Sequence, residues 1–212
     1  MDPSRIESVN VASPESVRWR NQTFTTSIRK KPLEGRVRVE GINIDGDDQA
    51  DRTVHGGRSK SVYAYSVEDY AWWKATHGVD WRPGLFGENL TTSGIDLGSL
   101  LIGERLRIGN VVLEASEPRL PCYKLGFAMN DPRFPKLFAA ELRLGSYFRI
   151  IEPGEIGAGD TAAPESRPQD HDVTVREVGR IRLFAPNERR KLANVEALNL
   201  AIRSWAREAD EP

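Results

Sequence analysis

Short runs in which apolar or β-branched residues alternate with polar ones recur from the N-terminus to about residue 151, at 6–11, 24–28, 36–40, 61–65, 104–108, 111–116 and 147–151. A period of two turns one face of each run to a core, and runs this short are strands rather than helices. The chain is therefore predicted to be mainly β. Gly109-Asn110 between two runs reads as a tight hairpin turn, and Pro153-Gly154 ends the last strand. Two helices interrupt the pattern. One starts at Ser66 as N-cap with Asp69 three residues on, presents Tyr70 and Trp73 to the core, with Trp72 as a further candidate, and stops by Gly78. The other has Asp131 as N-cap, Pro132 at its first position and Gly145 at its end.

Residues 161–172, rich in Pro, Ala, Ser and acidic side chains, read as a surface linker. Beyond them the period becomes helical. Thr174 and Glu177 form a capping box for a helix to about Phe184, and Leu192, Val195, Leu198, Ile202 and Trp205 trace an apolar stripe. The expected organisation is a β body over 1–160, a linker over 161–172 and a small helical unit over 173–212. The stripe is covered by the body or by a second subunit, so a homodimer is an open alternative.

Thirty Lys and Arg against 31 Asp and Glu leave a formal charge of −1, which argues against whole-protein attraction to nucleic acid or anionic lipid. No stretch approaches the roughly 20 apolar residues of a membrane span, and residues 1–20 lack the apolar core of a signal peptide. A single cysteine, Cys122, rules out an intramolecular disulfide and a structural zinc site built on several cysteines. A reducing cytoplasm is the expected location.

That cysteine lies in Glu117-Pro118-Arg119-Leu120-Pro121-Cys122-Tyr123-Lys124. The two prolines stiffen the loop, and Arg119 and Lys124 favour thiolate if they are also near it in space. A thiolate so held is a nucleophile or a soft metal ligand; the alternative is a buried cysteine packed as a small apolar group. A second candidate is Asp51-Arg52-Thr53-Val54-His55-Gly56-Gly57-Arg58-Ser59-Lys60. Its paired glycines and cations suit an oxyanion or phosphate cradle, with His55 supplying a proton or hydrogen bond. A turn with a charged rim is the alternative, and so is a carboxylate metal loop at Asp45, Asp47, Asp48 and Asp51, which lacks the EF-hand spacing. In Gly84-Leu85-Phe86-Gly87-Glu88-Asn89-Leu90, Asn89 can donate to and accept from a heterocycle edge. The basic run Ile28-Arg29-Lys30-Lys31-Pro32 is a solvated strand edge or a further phosphate contact.

Together with Gly46-Asp47-Asp48-Gln49-Ala50-Asp51 and Gly154-Glu155-Ile156-Gly157-Ala158-Gly159-Asp160, these segments resemble, in family order, the MOSC domain superfamily, named for the C-terminal domain of molybdenum cofactor sulfurase. The likeness is to its small stand-alone bacterial subgroup called YiiM-like. Glu117 and Tyr123 depart from the Gln and Trp more often found there. The resemblance implies a β-barrel-like MOSC fold with a few peripheral helices and a C-terminal three-helix extension. It implies a pocket for a molybdenum cofactor of the Mo-molybdopterin type, with Cys122 as the metal's protein ligand. Lys30, His55, Gly56, Gly57, Asn89 and Arg119 fall on its motif positions as cofactor contacts, with Arg58 and Lys124 as nearby additions.

Proteins of this kind reduce N-hydroxylated compounds, including N-hydroxylated purine base analogues, which implies a detoxifying oxidoreductase with Cys122 and His55 as catalytic residues. The cysteines for an iron–sulfur cluster are absent, so electrons must come from a separate flavin or iron–sulfur protein. Two alternatives stay open: a sulfur carrier holding a persulfide on Cys122, and a module that binds or transfers the cofactor without catalysis.

Overall fold

The strand at Val111–Pro118, β10 in chain order, is buried along its whole length, and the rest of the sheet grows outward from it. The computed structural model describes residues 4–50 and 57–208. Through the expected two-residue turn, β10 pairs with β9 (Arg105–Ile108), Val111 facing Ile108. On its other side lies β11 (Ser146–Glu152). Next come β7 (Val62–Ser66), β8 (Leu90–Ser93), β1 (Arg5–Val11) and the two-residue β4 (Lys31–Pro32), while β13 (Ala162–Ser166) flanks β9. The single parallel pair among the described strands, β7 with β8, needs a crossover, and α1 (Val67–His77) provides it. A smaller sheet joins β12 (Gly154–Gly157), β5 (Arg36–Glu40) and β6 (Asn43–Ile44), and β2 (Glu15–Trp19) with β3 (Gln22–Thr26) forms a hairpin.

The mainly β fold is as expected, but the barrel is not closed. The ends of the large sheet meet at an isolated Arg5–Thr161 bridge. The Ile6 N–H donates to the Asp160 carbonyl at 2.9 Å and the Ala162 N–H to the Ser4 carbonyl at 2.8 Å. Among the described residues no ladder joins β1 to β13. The same strand corrects the linker expectation: residues 162–166 pair with β9, so only residues 167–173 are irregular.

The predicted caps hold where a hydroxyl faces the third amide. Ser66 Oγ accepts from the Asp69 N–H at 3.1 Å, and α1 ends at Gly78 in the left-handed region. Tyr70 and Trp73 are buried, and Trp72 is partly buried under the Arg143 guanidinium. Thr174 likewise caps α4 (Val175–Phe184) through the Glu177 N–H at 3.1 Å. The Asp131 expectation is corrected. Asp131 Oδ1 accepts from the Arg133 N–H in a turn, so α3 starts later, at Phe134–Glu141, and Leu142 rather than Gly145 takes the left-handed cap. A short helix, α2 (Tyr123–Ala128), starts directly after Cys122 where a loop was expected.

Two apolar clusters result. Aromatic residues, including Tyr65, Tyr70, Trp73, Phe86, Phe134 and Phe138, pack between α1, α3 and the sheet. A larger aliphatic cluster joins strand residues such as Leu106, Leu113 and Ile150 to Val178, Ile181, Leu192, Val195, Leu198 and Ile202 of the tail. The tail, made of α4, a 3-10 segment at Pro186–Leu192 and α5 (Leu200–Arg207), therefore covers its stripe with its own body. No helix among the described residues is long and apolar enough to cross a membrane.

Since body and tail share one core, Leu192→Ala should lower the stability of the whole chain by about 2–5 kcal/mol, read in urea as one transition shifted to lower denaturant. A separate early transition for the tail would show instead that it folds by itself.

Candidate functional site

Sheet topology brings the conspicuous sequence segments to one end of the strands. In register, Val9 of β1, Leu90 of β8, Ala64 of β7, Ser146 of β11 and Pro118 of β10 lie side by side, so β8 and β11 begin where β1 and β10 end. The cleft at that end is lined by Ser27, Lys30, Asp47, Gln49, Lys60, Tyr63, Asn89, Arg119, Cys122, Lys124 and Tyr147, among others.

Two glycines let the wall close. Gly84 and Gly87 have φ of 79° and 81°, and a Cβ on them would stand 2.6 Å from the Lys30 carbonyl oxygen and 2.9 Å from Ile28 Cγ1. Only glycine permits both the left-handed backbone and that approach. The loop they form carries Glu88, fully buried, which accepts from the Gly84 N–H (2.6 Å), the Phe86 N–H (3.2 Å), the Tyr70 hydroxyl (2.8 Å) and the Thr91 hydroxyl (3.0 Å). Burial raises its pKa, and these donors pull it back.

The basic run alternates as a strand edge should. Arg29 and Lys31 are exposed, with Arg29 stacked over Phe127 at 4.2 Å, while Lys30 is buried and paired with Asp47. Desolvation lowers the pKa of Lys30, and Asp47 opposes that shift. Asp47 Oδ1 also accepts from the Ala12 N–H at 2.9 Å, and Oδ2 from Asn89 Nδ2 at 2.9 Å. Asn89 Oδ1 accepts from the Tyr63 N–H at 3.1 Å, and Nδ2 donates also to the Asn10 carbonyl at 3.3 Å. The Asn89 amide is thus engaged by protein on both sides and acts as a brace for Asp47. The same bonds withdraw Asp47 from the alternative metal loop. Among the described residues no group of three or more His, Cys, Asp or Glu could hold a metal ion.

Arg119 and Cys122 meet as expected. Arg119 is 6% exposed, donates to the Phe86 carbonyl and lies over the Tyr63 ring at 5.3 Å. It makes no ion pair with any described carboxylate, and the Cys122 sulfur lies within its electrostatic range. Cys122 immediately precedes α2 without capping it, so its sulfur is not used by that helix's amides. Lys60 and Lys124 add charge to the same wall, although Glu117 Oε2 lies 3.9 Å from Lys60. Buried Ser27 Oγ and Gln49 Oε1 have no hydrogen-bond partner among the described residues.

Of the sequence candidates, Lys30, Asn89, Arg119, Cys122 and Lys124 share this cleft, whereas Arg58 is exposed and neither it nor Gly57 lines it. His55 and Gly56 lie outside the described residues. Lys60, a cation of the second candidate segment, does line the cleft, whereas sequence reasoning missed Glu88 as a buried brace and gave no role to Gln49 or Tyr147. The glycines around Glu88 were its only local signal.

Gly84→Ala should destabilise the chain by about 2–4 kcal/mol, since it adds both left-handed strain and a backbone clash. Gly159→Ala, with φ of 91° and nothing within 4 Å, should cost only about 1 kcal/mol. Equal losses in urea unfolding would contradict the close approach at Lys30.

A MOSC domain family model matches residues 51–163. Protein YiiM of Escherichia coli K12 is 28% identical over 188 residues, 86% of this chain and 82% of that one. A protein named reductase from Gibberella moniliformis is 33% identical over 149 residues, 68% of this chain but 26% of its own length. The crystal structure of YiiM from Geobacillus stearothermophilus superposes with a TM-score of 0.78 at 25% identity, covering 96% of this chain and 97% of that one. With the sheet, the glycine-built wall and the Arg119–Cys122 segment in place, the chain belongs to the MOSC domain family as a small YiiM-like member.

Proposed function

We propose that the cleft holds a molybdenum cofactor through Cys122 and that the protein reduces N-hydroxylated compounds, such as N-hydroxylated purine base analogues, with electrons from a separate flavin or iron–sulfur protein. The observation that carries this reading is a buried guanidinium with no carboxylate partner among the described residues, beside the chain's one thiol. An isolated buried charge is costly, and an anionic ligand would relieve it.

The donor set fits such a group. A thiolate is a soft ligand for a transition metal, Arg119, Lys60 and Lys124 oppose negative charge, and the unpartnered Ser27 Oγ and Gln49 Oε1 are a donor and an acceptor suited to a polar heterocycle. Bound there, a molybdenum centre would supply a two-electron redox couple. Cys122 would anchor it, Arg119 would neutralise its charge, and the Lys30–Asp47–Asn89 brace would hold the wall in register. Reduction of an N–OH group takes up two electrons and two protons and yields the amine or amidine and water, so the site must also present a proton donor to the leaving oxygen. The fungal relative named as a reductase agrees with this class of reaction.

The test is molybdenum by mass spectrometry and oxidised pterin by fluorescence on the protein and on Cys122→Ser, both made in a host that synthesises the cofactor. Near-equimolar metal and pterin in the parent, lost in the variant, is the expected result. A cyanide-releasable sulfur on Cys122 with neither metal nor pterin would replace this reading by the sulfur carrier, and loaded protein inert toward N-hydroxylated bases with a reduced donor would replace it by the binding module.

A further inference from the structure

Four tyrosines belong to the aromatic cluster or pack against it, two of them, Tyr63 and Tyr147, lining the cleft, and three have their hydroxyls engaged by protein. Tyr63 donates to the Leu144 carbonyl at 3.0 Å, Tyr65 to the Arg143 carbonyl at 3.0 Å and Tyr70 to Glu88 Oε2 at 2.8 Å. Tyr147 differs. Its hydroxyl makes no hydrogen bond to any described residue, and the half-buried side chain lines the cleft.

Its placement is fixed by the sheet. On β11, Tyr147 stands opposite Glu117 of β10 and Tyr63 of β7, and directly opposed residues present their side chains to the same face. Its ring is 5.0 Å from that of Tyr63, which Arg119 covers from another side. The phenol oxygen is within electrostatic range of Arg119, Glu117 and Cys122. A rigid ring whose O–H engages no described residue therefore shares the cleft with Cys122.

We propose that Tyr147 is a catalytic residue of the N-hydroxyl reduction, its phenol O–H donating a hydrogen bond to the oxygen of an N–OH group placed beside Cys122. This assignment rests on the reductase reading above. A neutral donor suits this wall, because a carboxylic acid would ionise and pair with Arg119, whereas a further cation would be repelled by Arg119, Lys60 and Lys124. Burial pushes the phenol's pKa up to about 12 against the pull of Arg119, so the donor keeps its proton throughout the neutral range. As the N–O bond breaks, negative charge gathers on the leaving oxygen, and a fixed donor there stabilises the transition state more than the ground state. The two electrons come from the separate reduced protein and the two protons ultimately from water, so Tyr147 ends the cycle unchanged. The parent amine lacks that oxygen and gains nothing from the contact, which makes the same group a determinant of specificity.

The test compares Tyr147→Phe with the parent as cofactor-loaded protein. Molybdenum content and the urea midpoint serve as controls and should match. Calorimetric titration with N-hydroxylated adenine and with adenine should show the variant losing roughly 10-fold in affinity for the first and less than about twofold for the second. Turnover of N-hydroxylated adenine by the variant should fall by on the order of 10–100-fold in kcat. An unchanged affinity ratio with unchanged kcat overturns the role of Tyr147 alone. A variant stripped of molybdenum also overturns it, by making the residue part of the cofactor seat. A parent protein that carries molybdenum yet neither binds nor reduces N-hydroxylated adenine overturns the reductase reading itself.

Discussion

The buried carboxylate of Asp47 is the contact on which the site depends. Its two oxygens engage the Ala12 amide, the Lys30 ammonium and the Asn89 amide, which come from three segments remote in sequence. Burying an ion pair is rarely a net gain over packed apolar groups, yet removing one partner is costly because it strands the other. The brace thus fixes geometry more than it adds stability. It ties the end of β1, the approach to β4 and the approach to β8 to a single arrangement, and Glu88 repeats the device one residue away with four donors of its own.

Around that brace the cleft has an uneven charge balance. Lys30 is neutralised by Asp47, and Glu117 stands near Lys60 and accepts from Asn199 of the tail at 3.0 Å. Arg119 has no such partner among the described carboxylates. The wall therefore combines satisfied charges that set its shape with a buried guanidinium that no described carboxylate pairs, next to a sulfur held by two prolines and a short helix. A buried guanidinium and the chain's thiol meet in the same few residues. The tail contributes by covering the aliphatic core and by steadying Glu117.

Much of this was legible in the sequence. The alternating runs located the main strands, the hydroxyl caps at Ser66 and Thr174 located two helices, and the Pro118–Lys124 segment located the thiol and its guanidinium. What was not legible depended on contacts between distant segments. β4, β6 and β8 are too short for a periodicity to show, and β13 looked like a linker because its Pro and acidic residues face outward on a sheet edge. Asp131 had the residue type of a helix cap but serves a turn before the helix. Asn89 looked like a ligand contact because nothing local reveals that Asp47, Tyr63 and Asn10 engage its amide. Tyr147 showed nothing in sequence, since an unengaged hydroxyl becomes visible only when the other tyrosines' partners are known.

Because Cys122 is the chain's only cysteine, its ligation can be read directly by thiol titration. Native protein loaded with stoichiometric molybdenum should give no reactive thiol with a chromogenic disulfide. The same protein should give one thiol per chain once the cofactor is stripped. One reactive thiol per chain in fully loaded native protein would contradict ligation by Cys122, and with it the cleft's role as the seat of the cofactor.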